Sequence, residues 1–233
     1  MATHYRTKAL ILDKREFREA DRFFTFFTKE YGRVEALAKG ERKIESKLRG
    51  GLELFYLSEI SFIQGRYWKT LVDASLIDNF NGIREELPKL KTASLIGREV
   101  STLVKGQEQD QDLWQLLLFT FKRLNKSPRI FLTYQYFFWR FVSHLGYRPQ
   151  LYDCVDCGDE LNPDQLYFSA NQGGLVCRNC KEGLNQKTDP GTVKVIRAIL
   201  EQDWQEVKKL RVNKQHQKLN ELSNFYFSYL KSL

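Results

Sequence analysis

The chain has 233 residues, 42% of them hydrophobic, and a net charge of +8, which excludes a disordered polymer and leaves room for two or three packed modules. No stretch approaches the roughly 18 apolar residues of a membrane span, and Met1 to Lys8 lacks the apolar centre of a signal peptide, so a cytoplasmic protein with no membrane partner is expected. The charge is uneven: net +3 over residues 1–80, +5 over 81–150, −4 over 151–186 and +4 from residue 187 onward. A basic chain of this kind suits a polyanionic partner, and its acidic stretch does not.

Residues 1–80 read as β structure. Tyr5–Leu12, Phe23–Thr28, Arg33–Ala38, Leu54–Ile63 and Trp68–Ile77 are short runs of aromatic and branched residues, separated by turn signals at Tyr31-Gly32, Gly50-Gly51 and Gln64-Gly65. Five short strands predict a small barrel. A five-stranded OB-fold leads, with an SH3-like barrel fitting the strand count nearly as well. Between strands three and four, Arg33, Lys39, Arg42, Lys43, Lys47 and Arg49 interleave with Glu35, Glu41 and Glu45. This is either a solvated loop with self-compensating charges or a phosphate-binding segment. Tyr31, Tyr67 and Trp68 fall at strand ends or turns, where they either stack bases or plug the barrel.

From about Ile83 the apolar period becomes helical. Leu87, Leu90, Leu95, Ile96, Val100, Leu103 and Val104 mark one helix, and Leu113, Leu116, Leu117, Phe121 and Leu124 a second. A third, Arg129–Leu145, opens with Ser127-Pro128 as cap and first-turn proline, and is apolar around most of its circumference, as a buried central helix would be. No acidic residue occurs from Leu113 to Tyr152, while Lys122, Arg123, Lys126, Arg129, Arg140 and Arg148 do. That surface suits an acidic peptide or more nucleic acid.

The four cysteines of the chain form two pairs, Cys154-Val-Asp-Cys157 and Cys177-Arg-Asn-Cys180, nineteen residues apart. This spacing is that of one structural Zn2+ held tetrahedrally by four thiolates, each C-x-x-C turn aiming two sulfurs at one ion. Two disulfides or a redox-active pair are the alternatives. After the module, Thr188-Asp189-Pro190 opens a helix to about Glu201, followed by a short helix near Trp204–Leu210 and a last one at about Lys214–Leu230. The expected organisation is a barrel at 1–80, a helical domain from 81–150 and 187–233, and a zinc module inserted at 151–186. The fold class is therefore α+β.

Catalytic patterns are missing from the sequence. There is no phosphate loop, no G-x-G-x-x-G, no H-E-x-x-H and no G-x-S-x-G. His4, His144 and His216 are far apart, and a zinc with four cysteines has no open position for water. A protein that is not an enzyme is expected.

Local motifs add a resemblance. Tyr5-Arg6-Thr7-Lys8, Glu19-Ala20-Asp21-Arg22, Thr28-Lys29-Glu30-Tyr31-Gly32-Arg33, Ala38-Lys39-Gly40 and Leu76-Ile77-Asp78-Asn79-Phe80 in the first part, with Leu145-Gly146-Tyr147-Arg148-Pro149 and Tyr229-Leu230-Lys231-Ser232-Leu233 later, make the chain similar to the bacterial RecO family of recombination mediators. The resemblance implies an N-terminal OB-fold without catalytic activity, and a nucleoid-associated protein that binds single- and double-stranded DNA and anneals complementary strands. Its implied partners are RecR, with which it helps load RecA, and the acidic C-terminal tail of single-stranded-DNA-binding protein. On these residues, Arg33, Lys39, Arg42, Lys43, Lys47 and Arg49 would hold phosphates, with Arg66 and Lys69 as weaker candidates. Lys122, Arg123, Arg129 and Arg140 would meet the acidic tail. The competing readings are a zinc-ribbon transcription or RNA-binding factor, which would show base preference, and a non-catalytic scaffold, which would show no nucleic-acid affinity.

Overall fold

A computed structural model describes residues 3–233, so the first two residues of the expected 1–80 barrel lie outside the described residues. The chain divides into two compact units, one up to residue 130 and one from 131 to 233.

The first unit is built on a closed five-stranded barrel: β1 (His4–Phe17), β2 (Asp21–Thr28), β3 (Gly32–Ala38), β4 (Leu57–Gln64) and β5 (Lys69–Asp78), in the order β1-β2-β3-β5-β4. β1 pairs antiparallel with both β2 and β4, and β3 closes on β5 by a short parallel contact at Ala36↔Lys69 and Leu37↔Thr70. This is the OB-fold arrangement. Alternation drives it: Ala9 and Ile11, Phe24 and Phe26, Val34 and Ala36, and Ile60 and Phe62 all face one core, because successive strand residues point to opposite faces.

β1 runs five residues beyond the expected Leu12. A register shift between Ile11 and Asp13 bends it, as a bulge does when one long strand must serve two neighbours. The fourth strand starts at Leu57 rather than Leu54. Phe55 takes a left-handed backbone with φ of 66°, and its amide donates to the Ile11 carbonyl while Tyr56 O accepts from the Ile11 amide. Those bonds use the bulged stretch of β1 in place of ladder pairing.

Two helices complete this unit after a single turn, α1 (Asn81–Arg84): α2 (Leu87–Leu103) and α3 (Gln111–Lys126). α2 packs on β1, and Gly97 permits the approach, since a Cβ there would lie 2.8 Å from the Leu12 carbonyl oxygen. Covering by α2 explains why Leu10 and Leu12 are buried as completely as Ala9 and Ile11. Asp110 caps α3 by accepting from the Leu113 amide at 2.9 Å.

The second unit is centred on α4 (Ile130–His144), buried from Leu132 through Trp139, as its all-round apolarity predicts. Two polar side chains of this helix are paired: Trp139 Nε1 donates to Gln135 Oε1 at 3.0 Å, and Gln135 Nε2 to Ser223 Oγ at 3.2 Å. The cysteine segment forms a small sheet, β6 (Leu166–Ser169), β7 (Gly174–Val176) and β8 (Gln186–Thr188), in the order β7-β6-β8. Then come α5 (Pro190–Glu201), α6 (Trp204–Val207) and α7 (His216–Lys231). Asp189 caps α5 ahead of Pro190, accepting from the Thr192 amide at 3.0 Å. Among the described residues no helix is long and apolar enough to cross a membrane.

Candidate nucleic-acid interface and metal centre

The segment joining β3 to β4 is a chain of tight turns, its amides of Lys43, Ser46 and Arg49 bonding to the carbonyls of Gly40, Lys43 and Ser46. Its base is pinned to the β1–β2 hairpin. The Gly40 amide donates to Asp21 Oδ1 at 2.8 Å, and the Arg42 amide to the Ala20 carbonyl at 3.1 Å. Glu41 is buried and pairs with Arg22 at 3.1 Å. The two motifs Glu19-Ala20-Asp21-Arg22 and Ala38-Lys39-Gly40 are thus two halves of one anchor.

That anchor decides where the acidic residues go. Glu41 neutralises Arg22, and Glu35 pairs with Arg15. Arg42 reaches Glu16 at 3.6 Å. Lys39, Lys43, Lys47 and Arg49 are exposed and form no ion pair among the described residues. Of the three interleaved glutamates, Glu35 and Glu41 are spent on Arg15 and Arg22, which leaves exposed Glu45 against four cations that have no ion pair, on a fixed base. Of the remaining sequence-derived candidates, Arg33 is half-buried on β3, with its Nε shielded and without an acceptor. Lys69 opens β5 and donates to Gln107 Oε1 at 2.6 Å, a neutral partner that leaves its charge intact.

Arg66 lies exposed on the β4–β5 hairpin, its guanidinium 5.2 Å from the Tyr67 ring centre. Beside it, Phe23 on the outer face of β2 touches Trp68 edge-on at 5.1 Å and Phe17 at 4.9 Å. Arg15 sits 4.2 Å over the Phe23 ring and Arg18 5.1 Å from the Phe17 ring. Tyr31, by contrast, packs edge-on against Tyr5 and Phe62 and plugs the barrel. Sequence reasoning missed Arg15, Phe17 and Arg18. The signal was an aromatic flanked by arginines in the stretch between the first two predicted strands, Tyr5–Leu12 and Phe23–Thr28.

An open pocket of about 650 Å³ lies between Phe80, Phe119 and the end of α3, and is lined also by Asp78, Lys122, Arg123 and Lys126. Arg123 is 5.3 Å from the Phe119 ring. The Arg129 amide donates to Ser127 Oγ at 3.1 Å, at the entry to α4. Arg140 is differently employed. It stacks on Tyr136 and donates from Nε to the Ile199 carbonyl at 3.0 Å and from its terminal nitrogen to the Gln202 carbonyl, satisfying the carbonyls that α5 leaves open at its C-terminus.

In the second unit the four cysteine Sγ atoms lie within 4.8 Å of one another. Cys157 Sγ and Cys177 Sγ are 3.9 Å apart, close to the ~3.8 Å edge of a tetrahedron with Zn–S bonds of about 2.3 Å. All four are free thiols. The first knuckle closes through the Gly158 amide to the Cys154 carbonyl at 2.9 Å, with Gly158 at φ of 77°, a conformation glycine adopts without steric cost. Asn162 turns the intervening loop, its side chain accepting from the Asp164 amide at 3.0 Å.

Burial opposes ionisation of Cys154, yet amides of Cys157, Cys177 and Asp156 directed at its sulfur bring its pKa down to about 6. Cys157 accepts from the Asp159 amide, the largest single influence and one that favours its thiolate, but the Cys154 sulfur, desolvation and the Asp159 side chain together outweigh it and the pKa rises to about 11. Cys180, facing Asp156, Cys157 and Cys177, is raised further. Without a cation the surroundings favour the thiolate at Cys154 and oppose it at Cys157 and Cys180; a dication at the centre of the cluster removes the conflict. The donor set fits a closed structural zinc site.

Two family models match the chain: one described as Recombination protein O N terminal, over residues 1–80, and one described as Recombination protein O C terminal, over residues 84–232. A protein named DNA repair protein RecO from Dehalococcoides mccartyi is 32% identical over 213 residues, covering 91% of this chain and 84% of the relative. Another with that name from Desulfitobacterium hafniense is 28% identical over 228 residues, covering 95% and 83%. A third, from Thermoanaerobacter sp., is 29% identical over 213 residues, covering 89% and 84%.

Proposed function

Because the chain belongs to the RecO family of DNA repair proteins, we propose that it is a non-catalytic recombination mediator whose barrel binds single- and double-stranded DNA through backbone phosphates and promotes annealing of complementary strands. The observation that carries this reading is the pinned loop with Lys39, Lys43, Lys47 and Arg49 unpaired. Cations without internal partners lower the repulsion between two phosphate chains and raise their local concentration, while reading no bases. Arg42, Arg33, Arg66 and Lys69 extend the positive surface, Arg42 exchanging its weak contact with Glu16 for phosphate.

In this reading the α3 pocket receives the acidic C-terminal tail of single-stranded-DNA-binding protein, with Lys122 and Arg123 meeting its carboxylates, Phe80 and Phe119 its apolar side chains, and Arg129 standing nearby in sequence. RecR is the partner with which the protein loads RecA. One zinc ion held by Cys154, Cys157, Cys177 and Cys180 supplies four bonds that fix two knuckles, and its closed coordination makes it a brace.

A log-log titration of DNA affinity against salt tests the central claim. Each phosphate contact contributes roughly −0.7 to −0.9 to the slope, so a steep slope is expected and a flat one sinks the reading. A strand-annealing assay, with DNA bare and coated by single-stranded-DNA-binding protein, tests the mediator role.

A further inference from the structure

We infer that the tips of the β1–β2 and β4–β5 hairpins form a stacking subsite for unpaired nucleobases, so that the barrel grips single strands by their bases as well as by their phosphates. This deepens the DNA-binding reading above and rests on it. The subsite is a built surface. Phe23 forms a buried floor; Phe17 and Trp68 lean on it edge-on at 4.9 and 5.1 Å, and Arg15 covers it from a third side at 4.2 Å. The tips stay open to solvent, Trp68 by 51% and Tyr67 by 73% of their surface.

Both side chains leave half or more of their surface uncovered, and three guanidiniums border them: Arg15 and Arg18 on the Phe23 and Phe17 rings and Arg66 on Tyr67, Arg15 being paired with Glu35 while Arg18 and Arg66 have no ion pair among the described residues. An apolar protein partner would be a poor match for that positive rim. A nucleotide matches both parts: the base stacks on a ring and the phosphate meets a guanidinium. Closed duplex keeps its bases stacked internally and has none to offer, so the subsite is specific for unpaired strands.

Arg18 supplies an independent sign. It occupies the hairpin turn with φ of 58°, where glycine or asparagine would sit at no cost. The chain accepts left-handed strain to hold a guanidinium beside the Phe17 ring, which fits a ligand-binding position better than a turn chosen for stability.

The test uses the full-length protein, an oligothymidine, an abasic strand of equal length and a duplex. Trp114, Trp139 and Trp204 are buried, so quenching of tryptophan emission by the oligothymidine reports Trp68. Expected are quenching on saturation and about tenfold tighter binding of the oligothymidine than of the abasic strand. Tyr67→Ala and Trp68→Leu should each remove most of that preference and leave duplex affinity and salt slope unchanged. Arg18→Gly should weaken single-strand binding severalfold with a melting temperature equal or higher, an outcome that a purely structural arginine would not give. Equal affinity for thymidine and abasic strands, or unquenched emission at saturation, overturns the stacking subsite alone. Failure of every strand to bind in a salt-dependent way overturns it together with the barrel reading.

Discussion

Gly40 donates its amide to Asp21 Oδ1 across 2.8 Å, from the first turn of the basic loop to the first residue of β2. One carboxylate thereby fixes the height and direction of a loop that has few other anchors. Asp21→Ala should destabilise the fold by about 1.5–3 kcal/mol, the range for a hydrogen bond to a charged acceptor. It should also loosen residues 39–49, visible as proteolytic nicking there and weaker DNA affinity. Asp21→Asn retains an acceptor oxygen and should behave close to the native protein. Equal nicking in both variants would show that the charge, not the hydrogen bond, holds the loop.

Charge reversal on the loop separates its residues by their partners. Lys39→Glu and Lys43→Glu remove cations with no ion pair and should each weaken DNA binding across all sequences, reducing the salt slope by about one unit. Glu41→Gln is a different case. Glu41 is buried against Arg22, so its loss leaves the half-buried guanidinium with only its 3.7 Å contact to exposed Glu16 and lowers stability first. A Lys39→Glu variant with unchanged slope would remove that lysine from the phosphate path.

The strands and the thiolate knuckles were legible in the sequence because both are local. Alternation marks a strand within a few residues, and C-x-x-C spacing marks a knuckle within four. Partner choice is not local. The apolar face of α2 is plain in the pattern, but the pattern alone does not say that Gly97 will seat it on β1. Likewise Glu35, Glu41 and Lys39 share one stretch of sequence, and only the β1–β2–β3 register sends the first to Arg15 and the second to Arg22 while leaving the third alone. The left-handed Phe55 escaped for the same reason: its backbone is set by the bulge at Ile11, some forty residues away.

Gly32 is required twice over. Its φ is 55°, and a Cβ would lie 2.2 Å from the Glu108 carbonyl oxygen. Gly32→Ala should therefore cost about 2 kcal/mol or more, combining left-handed strain with displacement of the loop that carries Gln107. Denaturant midpoints measure the loss. A near-neutral substitution would mean that this loop yields freely.

The Phe168 ring is one of the ties between the four-cysteine module and its helices, beside the Arg197 guanidinium on the Leu151 carbonyl. Phe168 on β6 meets Tyr226 edge-on at 5.2 Å and Trp139 at 6.3 Å, and burial raises the Tyr226 pKa to about 12 while its hydroxyl donates to the Tyr147 carbonyl at 3.0 Å. Phe168→Ala should cost about 3–5 kcal/mol. Chelation of the metal, or Cys177→Ser, should lower the melting temperature and leave DNA binding by the barrel intact at temperatures where the protein stays folded. Loss of DNA affinity at an unchanged melting temperature would give the module a direct role in binding.

Acidic-peptide binding puts the last division to the test. Lys122 and Arg123 line an open pocket with Phe119, whereas the Arg140 guanidinium is already committed to the carbonyls of Ile199 and Gln202. A basic residue can attract a carboxylate only with donors it has not spent. Lys122→Glu with Arg123→Glu should therefore weaken an acidic peptide carrying apolar side chains about tenfold or more and leave folding intact. Arg140→Glu should instead free two carbonyls at the end of α5 and place a carboxylate beside them, costing about 1.5–3 kcal/mol of stability. Peptide affinity, measured on the folded fraction, should hold. Loss of peptide binding in a fully stable Arg140→Glu protein would move the tail site onto the second unit, and with it the role of the α3 pocket.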